Sequence, residues 1–141
     1  MKILLLGEAS GLHWTLAEGL RALGHEVCVA SDGNGWKNYP RDIDLARPTN
    51  SLTDGFRCLF RILRHLHEFR GYDVVQLISP YFLRLRSERT LPVYQYLRRH
   101  NGKVFLGAFG TDYYYCKACM ESDLYRYSDF KTGDYYRDTP L

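Results

Sequence analysis

The chain has 141 residues, of which 45% are apolar and 25% charged, a composition typical of one globular domain. Its 19 basic and 16 acidic residues give a formal charge of +3, too small to indicate a nucleic-acid-binding protein. An aromatic share of 15% excludes a disordered chain, because disordered segments lack the apolar surface that folding must bury. We therefore expect a single domain over residues 1–141 and no nucleic-acid partner.

We expect no targeting signal in the amino-terminal sequence. The first apolar run covers only residues 3–6, shorter than the ~7 residues of the smallest signal-peptide core. No stretch approaches the ~18 apolar residues that cross a bilayer. Cys28 and Cys58 fall on apolar patterns, where free cysteine behaves as a small hydrophobic residue. These features predict a cytoplasmic protein with reduced cysteines.

Four short apolar runs predict strands over residues 2–6, 27–30, 73–78 and 104–109. The runs are continuous rather than alternating, which indicates strands covered on both faces, as in parallel sheets. Helices are predicted between them, over residues 12–23, from Ser51 onward, and over 88–100. The order β-α-β-α-β-α-β indicates an α/β fold with an open, mostly parallel Rossmann-like sheet, helices on both faces and strand order 3-2-1-4. We expect the tail, about residues 113–141, to be irregular.

Two of the predicted helices carry leucine-rich rows that we expect to face the core. In the first helix this row is Leu12, Leu16, Leu20 and Leu23. In the second, Ser51 and Asp54 have the spacing of a capping box. Its expected buried row is Leu52, Phe56, Leu59, Leu63 and Leu66.

Ligands of open α/β sheets bind beyond the carboxyl ends of the strands, where the strand order reverses. In the predicted order, the loop at residues 7–11 lies beside residues 110–112, with residues 79–81 further along the same edge. The sequence therefore predicts substrate contacts from Gly7, Ser10, Gly11, Ser79, Tyr81, Thr111 and Tyr113. The glycines either let the backbone approach a ligand or simply form a tight strand-to-helix turn.

Several segments resemble the amino-terminal half of glycosyltransferases with the GT-B fold (glycosyltransferase group 1, family 4-like). They are Gly11-Leu12-His13, Leu16-Ala17-Glu18-Gly19-Leu20, Gly24-His25-Glu26-Val27, Tyr72-Asp73-Val74-Val75 and Ala108-Phe109-Gly110-Thr111-Asp112. Phe109 stands where the last motif usually has histidine, so no histidine role carries over to that position.

The resemblance implies an acceptor-binding domain of a nucleotide-sugar-dependent glycosyltransferase, in polysaccharide or lipid-linked glycan synthesis. It implies no resident cofactor or metal, because the nucleotide sugar is a donor substrate held mainly by a carboxy-terminal domain that this chain lacks. The expected partners are that domain and a sugar or lipid-linked acceptor. The alternative is a non-catalytic Rossmann-like domain that binds a nucleotide or a partner protein.

Two residues are candidates for the chemistry of glycosyl transfer, which requires a positioned acceptor hydroxyl that a base can deprotonate. Asp112 either accepts a hydrogen bond from that hydroxyl or acts as its base, with Thr111 orienting it, or it caps the segment that follows. His13 is either a base in an inverting mechanism or an ordinary polar residue of the first helical turn.

Other groupings leave two interpretations open. Cys116 and Cys119 form one C-x-x-C pair, which is half of a zinc site or simply packs in the core. The tyrosine-rich end of the chain contacts either sugar or the absent domain. Arg57, Arg61 and Arg64 share a helix face opposite the leucine row. That face is either solvated or holds the protein at the anionic inner surface of the cell membrane.

Overall fold

The computed structural model describes residues 1–49, 51–85, 87–107, 109 and 113–121, without the side chains of Ser87, Glu88 and Tyr113. The chain divides into two compact units, residues 1–107 and 108–141. A five-stranded sheet lies in the first unit, and one helix, α4 (Tyr113–Glu121), is described in the second.

The sheet is open and entirely parallel, in the order β3-β2-β1-β4-β5. Its strands are β1 (Lys2–Leu6), β2 (Glu26–Ser31), β3 (Ile43–Asp44), β4 (Val74–Leu77) and β5 (Lys103–Leu106). The helices of this unit are α1 (Leu12–Ala22), α2 (Leu52–His65) and α3 (Ser87–His100). The predicted α/β class and the open Rossmann-like sheet are confirmed, and the order 3-2-1-4 holds in the structure's own strand numbering.

The segments that fill this order differ from the prediction in one respect. β3 is a two-residue strand within a turn-rich passage, and it carries no apolar run that would reveal it. The predicted third strand is therefore β4, which pairs with β1, whereas the predicted fourth strand is β5 at the edge. The expectation that residues 7–11 and the segment after β5 follow neighbouring strands is wrong, because β4 lies between them.

Side chains of β1 alternate between two apolar layers, as the two-residue period of a strand requires. Leu4 and Leu6 belong to the layer that contains Cys58 and Ile62 of α2 and Leu97 of α3. Ile3 and Leu5 pack in the opposite layer with Ala17 of α1. Both faces of the sheet are thus covered by helices, which explains the continuous apolar strands.

The start of α2 is fixed as the sequence predicts. Ser51 is the N-cap, and its Oγ accepts the backbone N–H of Asp54 at 3.1 Å. The Asp54 carboxylate turns instead to Thr49, accepting its N–H at 3.2 Å and its hydroxyl at 2.5 Å. The hydrogen bond from the Thr49 hydroxyl is the largest of the effects that hold the pKa of Asp54 below its usual value.

The expected buried row of α2 is wrong in three of its five positions. Leu52, Phe56 and Leu63 are more than half exposed, while Leu59 and Leu66 are half-buried. The buried face is formed by Asp54, Gly55, Cys58 and Ile62. The sequence predicts the wrong row because both rows have helical spacing.

The expected leucine row of α1 is wrong in three of its four positions, whereas Leu20 is half-buried and packs against the layer of Ile3 and Leu5. Leu12, Leu16 and Leu23 are exposed, and the buried residues of this helix are His13 and Ala17. α4 lies in the stretch predicted to be irregular. Its consecutive tyrosines give no clear amphipathic pattern, which is why the sequence does not reveal it. None of the helices within the described residues is long and apolar enough to cross a membrane.

Candidate functional site

The loop between β1 and α1 lies at the carboxyl edge of the sheet and is held in a tight, left-handed path. Gly7 and Gly11 have φ angles of +83° and +82°, and Ser10 has φ +54°. A side chain at Gly7 would overlap Ile78 and come within 3.1 Å of the Phe82 carbonyl oxygen. Gly7 is therefore required both by its backbone conformation and by close packing.

Glu8 occupies the N-terminus of α1 from within the loop. Its Oε1 accepts the backbone N–H groups of Ala9 at 2.8 Å and His13 at 3.3 Å, and its Oε2 accepts that of Trp14 at 3.0 Å. The residue is 7% exposed. Because a carboxylate already satisfies these donors, the helix offers no ready site to a second anion such as a phosphate. An acidic residue placed shortly before a helix is the sequence signal for this arrangement.

His13 is a buried residue with a fixed tautomer. Its Nδ1 lies 2.8 Å from the carbonyl oxygen of Gly7, so Nδ1 carries the proton and donates it. Nε2 is buried and has no hydrogen-bond partner among the described residues. Burial keeps the pKa of His13 below its usual value, against smaller opposing effects of Gly7 and Glu8. His13 thus holds a basic lone pair, which an outside hydroxyl reaches only if the loop shifts.

The loops that follow β2 and β4 are joined to each other and to the first loop. Lys37 Nζ donates to Ser10 Oγ at 3.2 Å, and the Tyr39 ring lies against Gly11. Arg84, beyond β4, forms an ion pair with Asp32, beyond β2. β2 and β4 lie on either side of β1, so these polar contacts lie on both sides of the loop at residues 7–11. Sequence reasoning missed Lys37, Asp32 and Arg84, since only the fold brings them together.

Ser79 and Tyr81 follow β4 and therefore lie next to the β1 loop in the sheet order. The Ser79 hydroxyl accepts the backbone N–H of Tyr81 at 3.1 Å, so it stabilises the turn. Tyr81 is 74% exposed and lines a cavity of about 300 Å³ with Thr90 and Tyr94 of α3. This volume is at the lower end of those of small-molecule sites.

Three predicted site residues cannot be placed against this loop. Thr111 and Asp112 lie outside the described residues, and Tyr113 is described only by its backbone at the start of α4. The structure brings together Gly7, Ser10, Gly11 and His13 in one loop, with Ser79 and Tyr81 after the neighbouring strand.

The four cysteines are free thiols. Burial raises the pKa of Cys28 and Cys58, which disfavours the nucleophilic thiolate. Cys116 and Cys119 are both buried on α4. The described residues contain no group of three His, Cys, Asp or Glu side chains that could hold a metal ion.

No family model, curated protein or solved structure matches this chain.

Proposed function

We propose that this chain is the acceptor-binding domain of a nucleotide-sugar-dependent glycosyltransferase in polysaccharide or lipid-linked glycan synthesis. The observation that supports it best is the β1–α1 loop, which combines a filled helix N-terminus with a neutral histidine. Such a loop disfavours an anionic ligand and suits a neutral, hydroxylated one.

In this proposal, the acceptor hydroxyl lies over residues 7–11 and His13 Nε2 accepts its proton. The fixed Nδ1–H donation to Gly7 leaves Nε2 as the proton acceptor. The nucleotide part of the donor is proposed to be held by another domain. His13 is 1% exposed, so binding of the acceptor at Nε2 requires a local rearrangement that exposes this atom.

The alternative of a nucleotide-binding Rossmann-like domain requires a phosphate at the start of α1. Glu8 already accepts three N–H groups there, and its own charge repels an anion. Calorimetry on this chain separates the two proposals. We expect methyl glycosides or oligosaccharides to bind and UDP, GDP and NAD to give no heat. Tight binding of a nucleotide, without any glycoside binding, would reject the acceptor-domain proposal.

We further propose that α2 places the protein at the surface of an anionic membrane. Its outward row is formed by Leu52, Phe56, Phe60 and Leu63, which are 56–82% exposed. Arg57 and Arg64 each follow a residue of this row by one position, about 100° around the helix. The arginines thus lie beside the exposed apolar row. This arrangement is typical of helices that lie in a lipid interface.

The charged residues around α2 favour an anionic membrane surface, and not acidic residues of the protein itself, as the binding partner of its arginines. Asp42 pairs with Arg21 at 2.6 Å, and Asp44 pairs with Arg41 at 2.7 Å and with Arg61 of α2 at 3.6 Å. Arg57 pairs with Asp54 at 3.4 Å. Arg64 has no carboxylate within ion-pair distance among the described residues. Phospholipid headgroups would supply the missing negative charge while their acyl chains receive the phenylalanines.

A further inference from the structure

Trp36 is the most exposed of the large apolar residues described, at 91%. It belongs to the loop of residues 32–39, which follows β2 at the carboxyl edge of the sheet. Tryptophan is usually well buried, because its indole carries a large apolar surface. An exposed indole at the edge where α/β proteins bind ligands therefore indicates a ligand-binding surface.

The loop that presents Trp36 is rigidly built. Gly33, Asn34, Gly35 and Asn38 all adopt left-handed backbone conformations, which glycine and asparagine tolerate best. Internal hydrogen bonds hold this path, from Tyr39 N–H to the Gly33 carbonyl at 2.9 Å and from Asn34 N–H to Asp32 Oδ1 at 3.0 Å.

The same loop is attached to both loops of the candidate site. The Asp32–Arg84 ion pair joins it to the segment after β4. Lys37, the neighbour of Trp36, donates a hydrogen bond to Ser10 of the β1 loop at 3.2 Å. The loop of Trp36 and the neighbouring β1 loop thus supply an ammonium and a hydroxyl, groups that bind sugar hydroxyls.

We propose that Trp36 is the stacking platform for a pyranose ring of the acceptor, an inference that rests on the proposed function. The apolar C–H face of a pyranose covers the indole, while its hydroxyls reach Lys37 and Ser10. A nucleobase would also stack on an indole. A nucleotide, however, brings phosphates, and the N–H groups that would receive them at α1 are satisfied by Glu8.

The test uses the fact that the chain has only two tryptophans, Trp14 and Trp36. In a Trp14→Phe variant, Trp36 is the sole indole reporter. We expect its emission to shift to shorter wavelength on addition of methyl glycosides of glucose, galactose or N-acetylglucosamine, and not on addition of uridine. Calorimetry should show about tenfold weaker glycoside binding by Trp36→Ala and near-complete recovery in Trp36→Tyr. Leu23→Ala, which truncates another exposed apolar side chain, is the matched control and should bind normally.

The outcomes distinguish failure of the Trp36 platform from failure of the proposed function. If the unmodified chain binds a glycoside and Trp36→Ala binds it equally well, the platform is wrong and the proposed function stands. If the unmodified chain binds none of the glycosides, the proposed function fails and the platform with it. Stacking of uridine alone would overturn both in favour of a nucleoside site.

Discussion

Nδ1 of His13 lies 2.8 Å from the carbonyl oxygen of Gly7, six residues earlier, and joins the first turn of α1 to the end of β1. The side chain is 1% exposed, so its imidazole is buried without a counter-ion in direct hydrogen-bond contact. This relationship makes His13 a structural residue and a candidate base at once. A non-titrating substitute can preserve the structural hydrogen bond to Gly7, but it cannot act as a base.

We predict that the stability of this chain decreases on mild acidification because of His13. Its pKa is lowered from the usual value of 6.5 in the folded state, chiefly by burial, so the unfolded chain binds the proton more readily. The resulting contribution to the free energy of unfolding is complete above pH 6.5 and is lost as the pH falls toward the folded-state pKa. Urea unfolding between about pH 8 and 5 measures it.

His13→Asn is the informative variant for this dependence. Its amide retains a donor for the Gly7 carbonyl but does not titrate, so stability should become flatter with pH over the same range. His25→Asn serves as the control, because His25 is only half-buried and lies at the other end of the sheet. An unchanged pH slope in His13→Asn would contradict the assignment of the titration to His13.

Glu8 should stabilise the protein mainly as the cap of α1. We predict that Glu8→Ala lowers the free energy of unfolding by about 1–2 kcal/mol, because three N–H groups lose their acceptor. Glu8→Gln keeps one acceptor oxygen and should lose less. Glu18→Ala, an exposed position on the same helix, is the matched control. Equal stability of Glu8→Ala and Glu18→Ala would show that the cap contributes nothing.

The sequence predicts the sheet because its strands are unbroken apolar runs, and it predicts the start of α2 because Ser51 and Asp54 have a local capping signature. It does not predict β3, whose two residues are recognised only through their pairing with Ala30 and Ser31. Nor does it predict which apolar row of α2 is buried. Both rows have helical spacing, so the sequence alone does not distinguish them.

Only the part of the candidate site that lies in one continuous segment can be predicted from the sequence. Gly7, Gly11 and His13 follow a strand directly, so the general rule for α/β sheets indicates them. Lys37 and the Asp32–Arg84 pair depend on which strands flank β1, and that order changes once β3 is included. The burial of Glu8 depends likewise on the loop conformation rather than on any motif.

Asn101 joins the end of α3 to the segment before β4. Its amide donates to the carbonyls of Phe69 and Leu97, each at 2.9 Å, and its oxygen accepts the N–H of Tyr72 at 2.9 Å. We predict that Asn101→Ala lowers the free energy of unfolding by about 2–3 kcal/mol, because these groups lose their partners together. Asn101→Asp retains the acceptor and should be intermediate at most. A loss below about 0.5 kcal/mol for Asn101→Ala, measured by urea unfolding, would reject this account.

The proposed membrane contact of α2 predicts that both parts of its outward face matter. Phe56→Ser with Phe60→Ser should reduce partitioning onto vesicles containing about 30 mol% phosphatidylserine by roughly tenfold, through loss of apolar insertion. Arg57→Gln with Arg64→Gln should reduce it by a similar factor, and high salt should abolish the difference. Leu12→Ser with Leu16→Ser removes an exposed apolar row from α1 and is the control. Equal losses in the α1 and α2 variants, or equal binding to neutral phosphatidylcholine vesicles, would contradict a basic, lipid-facing α2.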